Sequence, residues 1–314
     1  MTIAVTGSMA YDYIMSFPGR FVDHILPDQI EILSVSFLVD SMRRERGGCG
    51  GNIAYNLALL DQRPLLIATV GQDAPEYVAW LRDQGVDTSG VLQLSDEFTA
   101  SFFVSTDQDN NQIASFYTGA MAKANRLSFR DNNPEAIDIA IISPNDPVAM
   151  VKYACECREL GIPYIYDPSQ QIPRLSPSEL VEGIDGAQVL IVNDYEFGMI
   201  KKQTGLSDEE IQGLSEVVVI TCGERGSVVR TGQGTWEIPI VSPRRLADPT
   251  GVGDAYRAGF ITGMCRALPW DVVGRMGSLA AAYVLEEHGT QRHRYSLHSF
   301  RQRYRETFGG ALQL

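Results

Sequence analysis

The stretch DPTGVGDAYRAGF, Asp248 to Phe260, sets a Gly-x-Gly turn and an acid directly before a run whose small and apolar residues recur at helical spacing. Gly251, Val252 and Gly253 then stand at a helix N-terminus, where several amides lack an intrahelical partner. Two glycines let the chain turn sharply and come close to a ligand, and the helix dipole adds positive potential at the same point. Such a turn suits a negative charge, including the charge that develops as a phosphoryl group moves. Asp254, one residue beyond, would lie within reach of an incoming hydroxyl and could take its proton. The plainer alternative is an acid that complements the helix dipole after an ordinary tight turn.

Three further stretches read in the same direction. RGGCGGNIAYNLALL (Arg46 to Leu60) is a glycine cluster that enters a helix through Asn52. Its spacing is not Gly-x-Gly-x-x-Gly and it follows the charged SMRRER, so a dinucleotide fingerprint, and with it a nicotinamide dehydrogenase, fits poorly. Gly47 and Gly48 would act as a hinge or admit a substrate to the backbone, or form a structural turn. In VLIVNDYEFGMI, Asn193 and Glu196 follow a buried strand and share one face beyond its C-terminal end, where open α/β sheets bind ligands. Their oxygens could order a hydrated Mg²⁺, which needs few protein contacts, and Asn193 or Asp194 could equally cap the helix. VITCGERGSVV puts Thr221, Gly223 and Gly226 in a strand-turn-strand, either a nucleotide edge or a simple hairpin.

The surrounding chain predicts an α/β architecture. TIAVTGS, PLLIATVG, IDIAIISP, IPYIYDPS, AQVLIVND and VVVITCG read as strands buried on both faces. Amphipathic stretches such as NIAYNLALLDQ, APEYVAWLRDQG and NDPVAMVKYACECRELG alternate with them, which predicts a mostly parallel sheet with helices on both sides, three layers in all. Two regions break that rhythm. Residues about 12 to 46, and the hairpin from Phe98 to Gly119 around DQDNN, read as half-exposed strands of a small separate sheet, a lid. From Tyr256 to about His288, and again from Tyr295 to Phe308, the chain reads as helical. No linker or repeat divides the 314 residues, so a single domain, 1–314, with the lid inserted in it is expected.

Composition narrows the function classes. A formal net charge of −13 argues against a nucleic-acid partner, while backbone amides can still hold a small anion. The opening MTIAVTGSMAYDYIM has no basic n-region or long apolar block, and no stretch of eighteen uncharged apolar residues occurs, so a cytoplasmic protein without membrane association is expected. Five scattered cysteines suit reduced thiols, and CEC at Cys155 to Cys157 lies in a helical pattern without a second pair at zinc spacing. His24, His288, His293 and His298 form no metal-spaced pair and are read as surface or structural.

Taken in order, GGCGGN, NDYE and DPTGVGDAYRAGF resemble the first signature, the Asn-x-x-Glu motif and the second signature of the ribokinase, or PfkB, family of carbohydrate and nucleoside kinases. The resemblance covers nearly the whole chain. VTGSMAYDYIMSFPGRF, SVSFLVD, IASFYTGAM and DPSQQIPRLS are most similar to bacterial adenosine kinases within that family. It implies a ribokinase-like fold and ATP-dependent phosphorylation of the adenosine 5′-hydroxyl. It makes Asp254 the base and Gly251 to Gly253 the anion hole. Asn193 and Glu196 would serve the Mg²⁺-phosphate side, with Thr221, Gly223 and Gly226 at the ATP edge. Asp12 would bind the ribose hydroxyls with Ser8, Gly47, Gly48 and Asn52; Phe102 and Phe116 would flank the purine. Ser36 and Phe37 would close the pocket from the first lid segment, and Arg174 would reach it from its loop. Asp248 and Thr250 match a K⁺ site of the family. Pro249 replaces the Thr usual in sugar kinases, and Tyr256 and Arg257 follow the base, as in the adenosine kinase branch. A sugar or broad-specificity nucleoside kinase is the nearest rival and an idle nucleotide sensor a more distant one, while an exposed apolar lid face would suit a homodimer.

Overall fold

The computed structural model describes residues 1–313. In chain order the strands are β1 (Ile3–Thr6), β2 (Ala10–Ser16), β3 (Ser41–Gly47), β4 (Leu65–Val70), β5 (Val91–Gln93), β6 (Ala100–Thr106) and β7 (Gln112–Tyr117). They continue with β8 (Ile139–Ile142), β9 (Tyr164–Tyr166), β10 (Ala187–Asn193), β11 (Ser215–Thr221), β12 (Ser227–Thr231) and β13 (Gly234–Ile238). The α-helices are α1 (Cys49–Leu59), α2 (Pro75–Asp83), α3 (Pro147–Leu160), α4 (Pro177–Ile184), α5 (Asp194–Thr204), α6 (Asp208–Leu214), α7 (Val252–Cys265), α8 (Trp270–Leu285) and α9 (Leu297–Phe308).

Nine strands form one sheet in the order β13-β12-β11-β10-β9-β8-β1-β4-β5, parallel except at the β11-β12-β13 end. Alternation along each strand sends successive side chains to opposite faces. Ile3, Val5, Ile139, Ile141, Val189 and Ile191 pack with residues of α1, α7 and α8 on one side. Ala4, Ala140, Ile142, Leu190 and Val192 pack with α3, α4 and α5 on the other. Both faces are therefore covered, and each large side chain so buried contributes roughly 1.5–3 kcal/mol of transfer free energy. The result is the expected ribokinase-like three-layer sandwich.

The small sheet runs β3-β2-β6-β7. Residues 12 to 46 differ from the expected strands: only Ala10–Ser16 and Ser41–Gly47 are extended, and between them lie two 3₁₀ turns, Phe21–Asp23 and Pro27–Ile32. Pro18 and Pro27 withhold the amides that a ladder needs. The helical stretch expected from Tyr256 to His288 is also interrupted between Cys265 and Trp270. Ala267 takes φ +51° and Pro269 caps α8, so the chain turns and α8 packs back against α7. No helix among the described residues is long and apolar enough to cross a membrane.

Candidate active site

The C-terminal ends of the parallel strands carry the polar residues. Ser8 follows β1, Asp167 follows β9, and Asn193 and Thr221 end β10 and β11 as direct register partners. Gly223 and Gly226, both at positive φ, form the tight turn after Thr221.

Helix α7 enters this edge from Gly251, at φ +81° in the left-handed region, with no side-chain cap. The amides of Gly253 and Asp254 are first-turn donors without a backbone acceptor, the arrangement that an anion requires. Asp254 is buried, and its Oδ2 accepts a 2.8 Å hydrogen bond from Asn52 Nδ2. Burial raises the Asp254 pKa; Arg257, Asn52 and the Cys49 thiol oppose that rise. A carboxylate held this way is oriented and more basic than an ordinary aspartate, which suits a general base.

Asn52 is held in turn by residues that sequence reasoning missed. Its Oδ1 accepts from Gln291 Nε2 at 3.0 Å, and that amide also meets Tyr77 Oη. Tyr77 donates to the Gly47 carbonyl at 2.9 Å, and Trp80 Nε1 donates to Gln291 Oε1 at 3.2 Å. The backbone of α1 is pinned similarly: Asn56 Nδ2 donates to the Asn52 carbonyl, and Asn56 Oδ1 meets buried His293 Nε2. The GTQRH stretch after α8 thus braces Asn52, and through it Asp254, from 239 residues away in sequence (52 to 291). No local periodicity marks such a long-range contact.

The lid supplies a second group. Asp12 on β2 pairs across with Glu45 on β3 and with Phe102 on β6, and Phe102 pairs directly with Phe116 on β7. Glu45, Asp12, Phe102 and Phe116 therefore form one cross-strand row on one face. Phe116 is 49% exposed, so its ring is free to meet a ligand. Tyr13 and Phe103 lie on the opposite face, where their rings stack at 4.8 Å. Burial first, then the charges of Glu45, Asp248 and Asp254, push Asp12 up to about 6. The Asp254 charge is also felt at Asp12, which relates the lid row to the first turn of α7.

Gly47 and Gly48 are where this junction needs glycine. A Cβ on Gly47 would fall 2.5 Å from Asp12 Oδ2. Gly48 has φ +87°, and a Cβ there would fall 2.5 Å from the Ser8 carbonyl and 2.7 Å from the Ala10 amide. Gly48→Ala is accordingly expected to cost about 1–3 kcal/mol and to lower the melting temperature by a few degrees. A melting curve superimposing on the parent would refute this. Ser8 is nearby, its Oγ accepting from the Cys49 amide at 3.1 Å.

On the β10 side, Asn193 and Glu196 form a reciprocal capping box: Asn193 Oδ1 accepts from the Glu196 amide at 2.7 Å and Glu196 Oε2 from the Asn193 amide at 2.8 Å. Ser169 Oγ donates to Glu196 Oε1 at 2.8 Å. Asn193 thus realises the capping alternative. Each Glu196 oxygen keeps an unused lone pair, a donor set that fits a Mg²⁺ held through water. Among the described residues no cluster of three or more His, Cys, Asp or Glu offers a direct metal cage. Asp248 accepts from the amides of Thr250 (2.9 Å) and Gly289 (3.2 Å). Burial raises its pKa, yet these bonds and His288 hold it below the ordinary value.

Three sequence candidates are not joined to this cluster. Ser36 is exposed, and Phe37 packs edge-on against Phe17 and Phe21 at the lid tip. Arg174 is exposed on a 3₁₀ turn and bonds to Gln171 within that turn. A cavity of about 510 Å³ near Arg158, Glu182 and Thr204 contains none of the site residues.

The pattern of the pfkB family carbohydrate kinase matches residues 5–295, which include the glycine turn, Asp254 and the lid. The chain belongs to the pfkB family. Within this kinase family, a nucleoside kinase of Methanothermobacter thermautotrophicus is 32% identical over 302 residues, covering 92% of this chain and 91% of the relative. The structure of a Burkholderia thailandensis nucleoside kinase in complex with inosine aligns with TM-score 0.89 and 35% identity, over 99% of this chain and 100% of that one. A Methanocaldococcus jannaschii nucleoside kinase, an archaeal member of the ribokinase family, aligns with TM-score 0.86 and 27% identity, over 97% and 98%.

Proposed function

We propose that this pfkB-family protein is an ATP-dependent nucleoside kinase that phosphorylates the 5′-hydroxyl of purine nucleosides, adenosine among them. The observation that carries this reading is the cross-strand row Asp12–Phe102–Phe116, whose Asp12 also feels the charge of Asp254. A carboxylate accepts two hydrogen bonds from a vicinal diol, and a ring pair in register offers a flat apolar partner to a base. A free sugar would leave Phe102 and Phe116 with nothing large to stack on. The relatives that act on nucleosides, including one solved with inosine, support the same substrate class and a breadth beyond adenosine.

In this reading the 5′-hydroxyl lies between Asp254 and the free amides of α7. The bond from O5′ to the γ-phosphorus forms as the bond from that phosphorus to the ADP oxygen breaks. The hydroxyl proton passes to Asp254, and the amides of Gly253 and Asp254 stabilise the charge on the transferring group. Glu196, oriented by Asn193 and Ser169, would hold hydrated Mg²⁺, which when bound supplies positive charge to the β- and γ-phosphate oxygens. Thr221, Gly223 and Gly226 would border ATP. Asp248 and Thr250 would take K⁺, and the outer lid face around Tyr13 and Phe103 would pair with a second copy.

ADP release measured with adenosine, inosine, guanosine, cytidine, ribose and fructose, each with Mg²⁺ and with K⁺ or Na⁺, tests the reading. Turnover on purine nucleosides well above that on free sugars is expected. Turnover on a sugar with none on nucleosides would overturn the substrate assignment.

A further inference from the structure

Helical side chains lean back toward the N-terminus, so a residue four positions along covers the first turn. Arg257 does this on α7: a Cβ at Gly253 would fall 2.7 Å from Arg257 Nη1. Glycine at 253 therefore does more than form the turn, since it leaves room for a guanidinium over the amides of the anion hole. Arg257 is 8% exposed and anchored from behind by Asp167, itself buried after β9. Nη2 donates to Asp167 Oδ1, and Nε lies in ion-pair contact with Oδ2 without a well-aligned hydrogen bond, so the carboxylate holds the guanidinium from one side. Nη1, the corner left over, makes no hydrogen bond among the described residues and faces Gly253.

The electrostatic setting is one-sided. Arg257 is the cation whose charge acts on both Asp254 and Asp167, and it also feels Glu196 on the Mg²⁺ side. Its charge reaches Asp254 on one side and Glu196 on the other, and its Nη1 lies against Gly253 in the first turn of α7. We propose that Arg257 is a catalytic residue, its Nη1 donating to an oxygen of the γ-phosphoryl group during transfer, with Asp167 as the positioning residue that aims it. A phosphoryl group spreads negative charge over its outer oxygens in the transition state, and a preorganised donor there acts on kcat more than on nucleoside binding. This inference rests on the phosphoryl-transfer reading above.

The test is steady-state kinetics with saturating ATP and nucleoside, alongside thermal melting. Arg257→Met alone would strand a buried Asp167 charge, which is strongly destabilising in such pairs. The decisive variant is therefore the double change Arg257→Met with Asp167→Asn, which removes both charges. A folded double variant with kcat reduced 100-fold or more (~10²–10³) and nucleoside KM within about threefold is expected. A double variant with kcat within threefold of the parent would reduce the pair to a structural brace and overturn the proposal. Arg257→Lys serves if the double variant does not fold. Its single ammonium can pair with Asp167 but cannot also span to Gly253, so kcat falls at least tenfold at unchanged melting temperature; an unchanged kcat overturns the proposal. Asp254→Asn run in parallel separates the failures. Loss there with none at Arg257 defeats only the arginine inference, whereas a parent protein silent on every nucleoside defeats the kinase reading as well.

Discussion

Asp254→Asn turns over nucleoside about 10²–10⁴ times more slowly than the parent, with a much smaller change in nucleoside KM. The amide cannot take the 5′-hydroxyl proton, yet it has the carboxylate's shape and can still accept the 2.8 Å hydrogen bond from Asn52. Stability should not fall. Burial raises the Asp254 pKa, so the folded protein binds that proton more tightly than the unfolded chain does. The ionised form therefore costs stability above the folded pKa, and the neutral amide removes that cost. The same shift places the acid limb of kcat/KM above the ordinary aspartate value, with activity lost as pH falls through it. ADP-release rates and melting curves of both proteins across pH check this. A kcat within tenfold of the parent would remove Asp254 from the role of base.

Asp12→Asn is expected to raise nucleoside KM about 100-fold while making the protein more stable at neutral pH. Losing the charge from a pair of hydrogen bonds to a ribose diol removes about 3 kcal/mol, and every 1.4 kcal/mol is about tenfold. Discrimination between ribo- and 2′-deoxynucleosides shrinks with it. The stability gain follows from the shift of Asp12 from an ordinary 3.8 to about 6. Asp12 contributes full stability only below its unfolded pKa; that contribution is lost as pH rises from about 4 through about 6. Two units correspond to about 3 kcal/mol at most, so the variant melts a few degrees higher at pH 8 and level with the parent near pH 4. In the parent, nucleoside KM rises as pH falls below about 6. A variant that binds nucleoside as the parent does, or melts lower at pH 8, would contradict the placement of Asp12 on the ribose.

These two residues show how unevenly the site was written in the sequence. Asp254 was legible as a candidate because its motif is local: glycines, acid and helix signal fall within thirteen residues of one another, Asp248 to Phe260, while the choice of base over a dipole-complementing acid came from the ordered set of motifs and the family resemblance. Asp12, Phe102 and Phe116 could be named only through a family resemblance, since alternating aromatics in a strand are ordinary. Register makes them a group by placing Asp12 opposite Phe102 and Phe102 opposite Phe116. Gln291, Asp167 and the orientation of Arg257 were not legible at all. Asp167 meets Arg257 across 90 residues, and Gln291 meets Asn52 across 239. Ser36, Phe37 and Arg174 show the converse, for family likeness named them and the structure leaves them apart from the base.

The alternation of doubly buried strands with amphipathic helices determined the three-layer α/β fold, because a sheet apolar on both faces must be covered on both. The glycine turn with its acid marked a candidate site, because an uncapped helix N-terminus beside a carboxylate is set by residues adjacent in the chain. Tertiary structure alone decided which residues complete the site. It folded the tail after α8 against α1, aligned four lid strands so that Glu45, Asp12, Phe102 and Phe116 fall in one row and laid the Arg257 guanidinium over Gly253. Those contacts come from packing between segments distant along the chain, and local sequence pattern carries no record of which segments will meet.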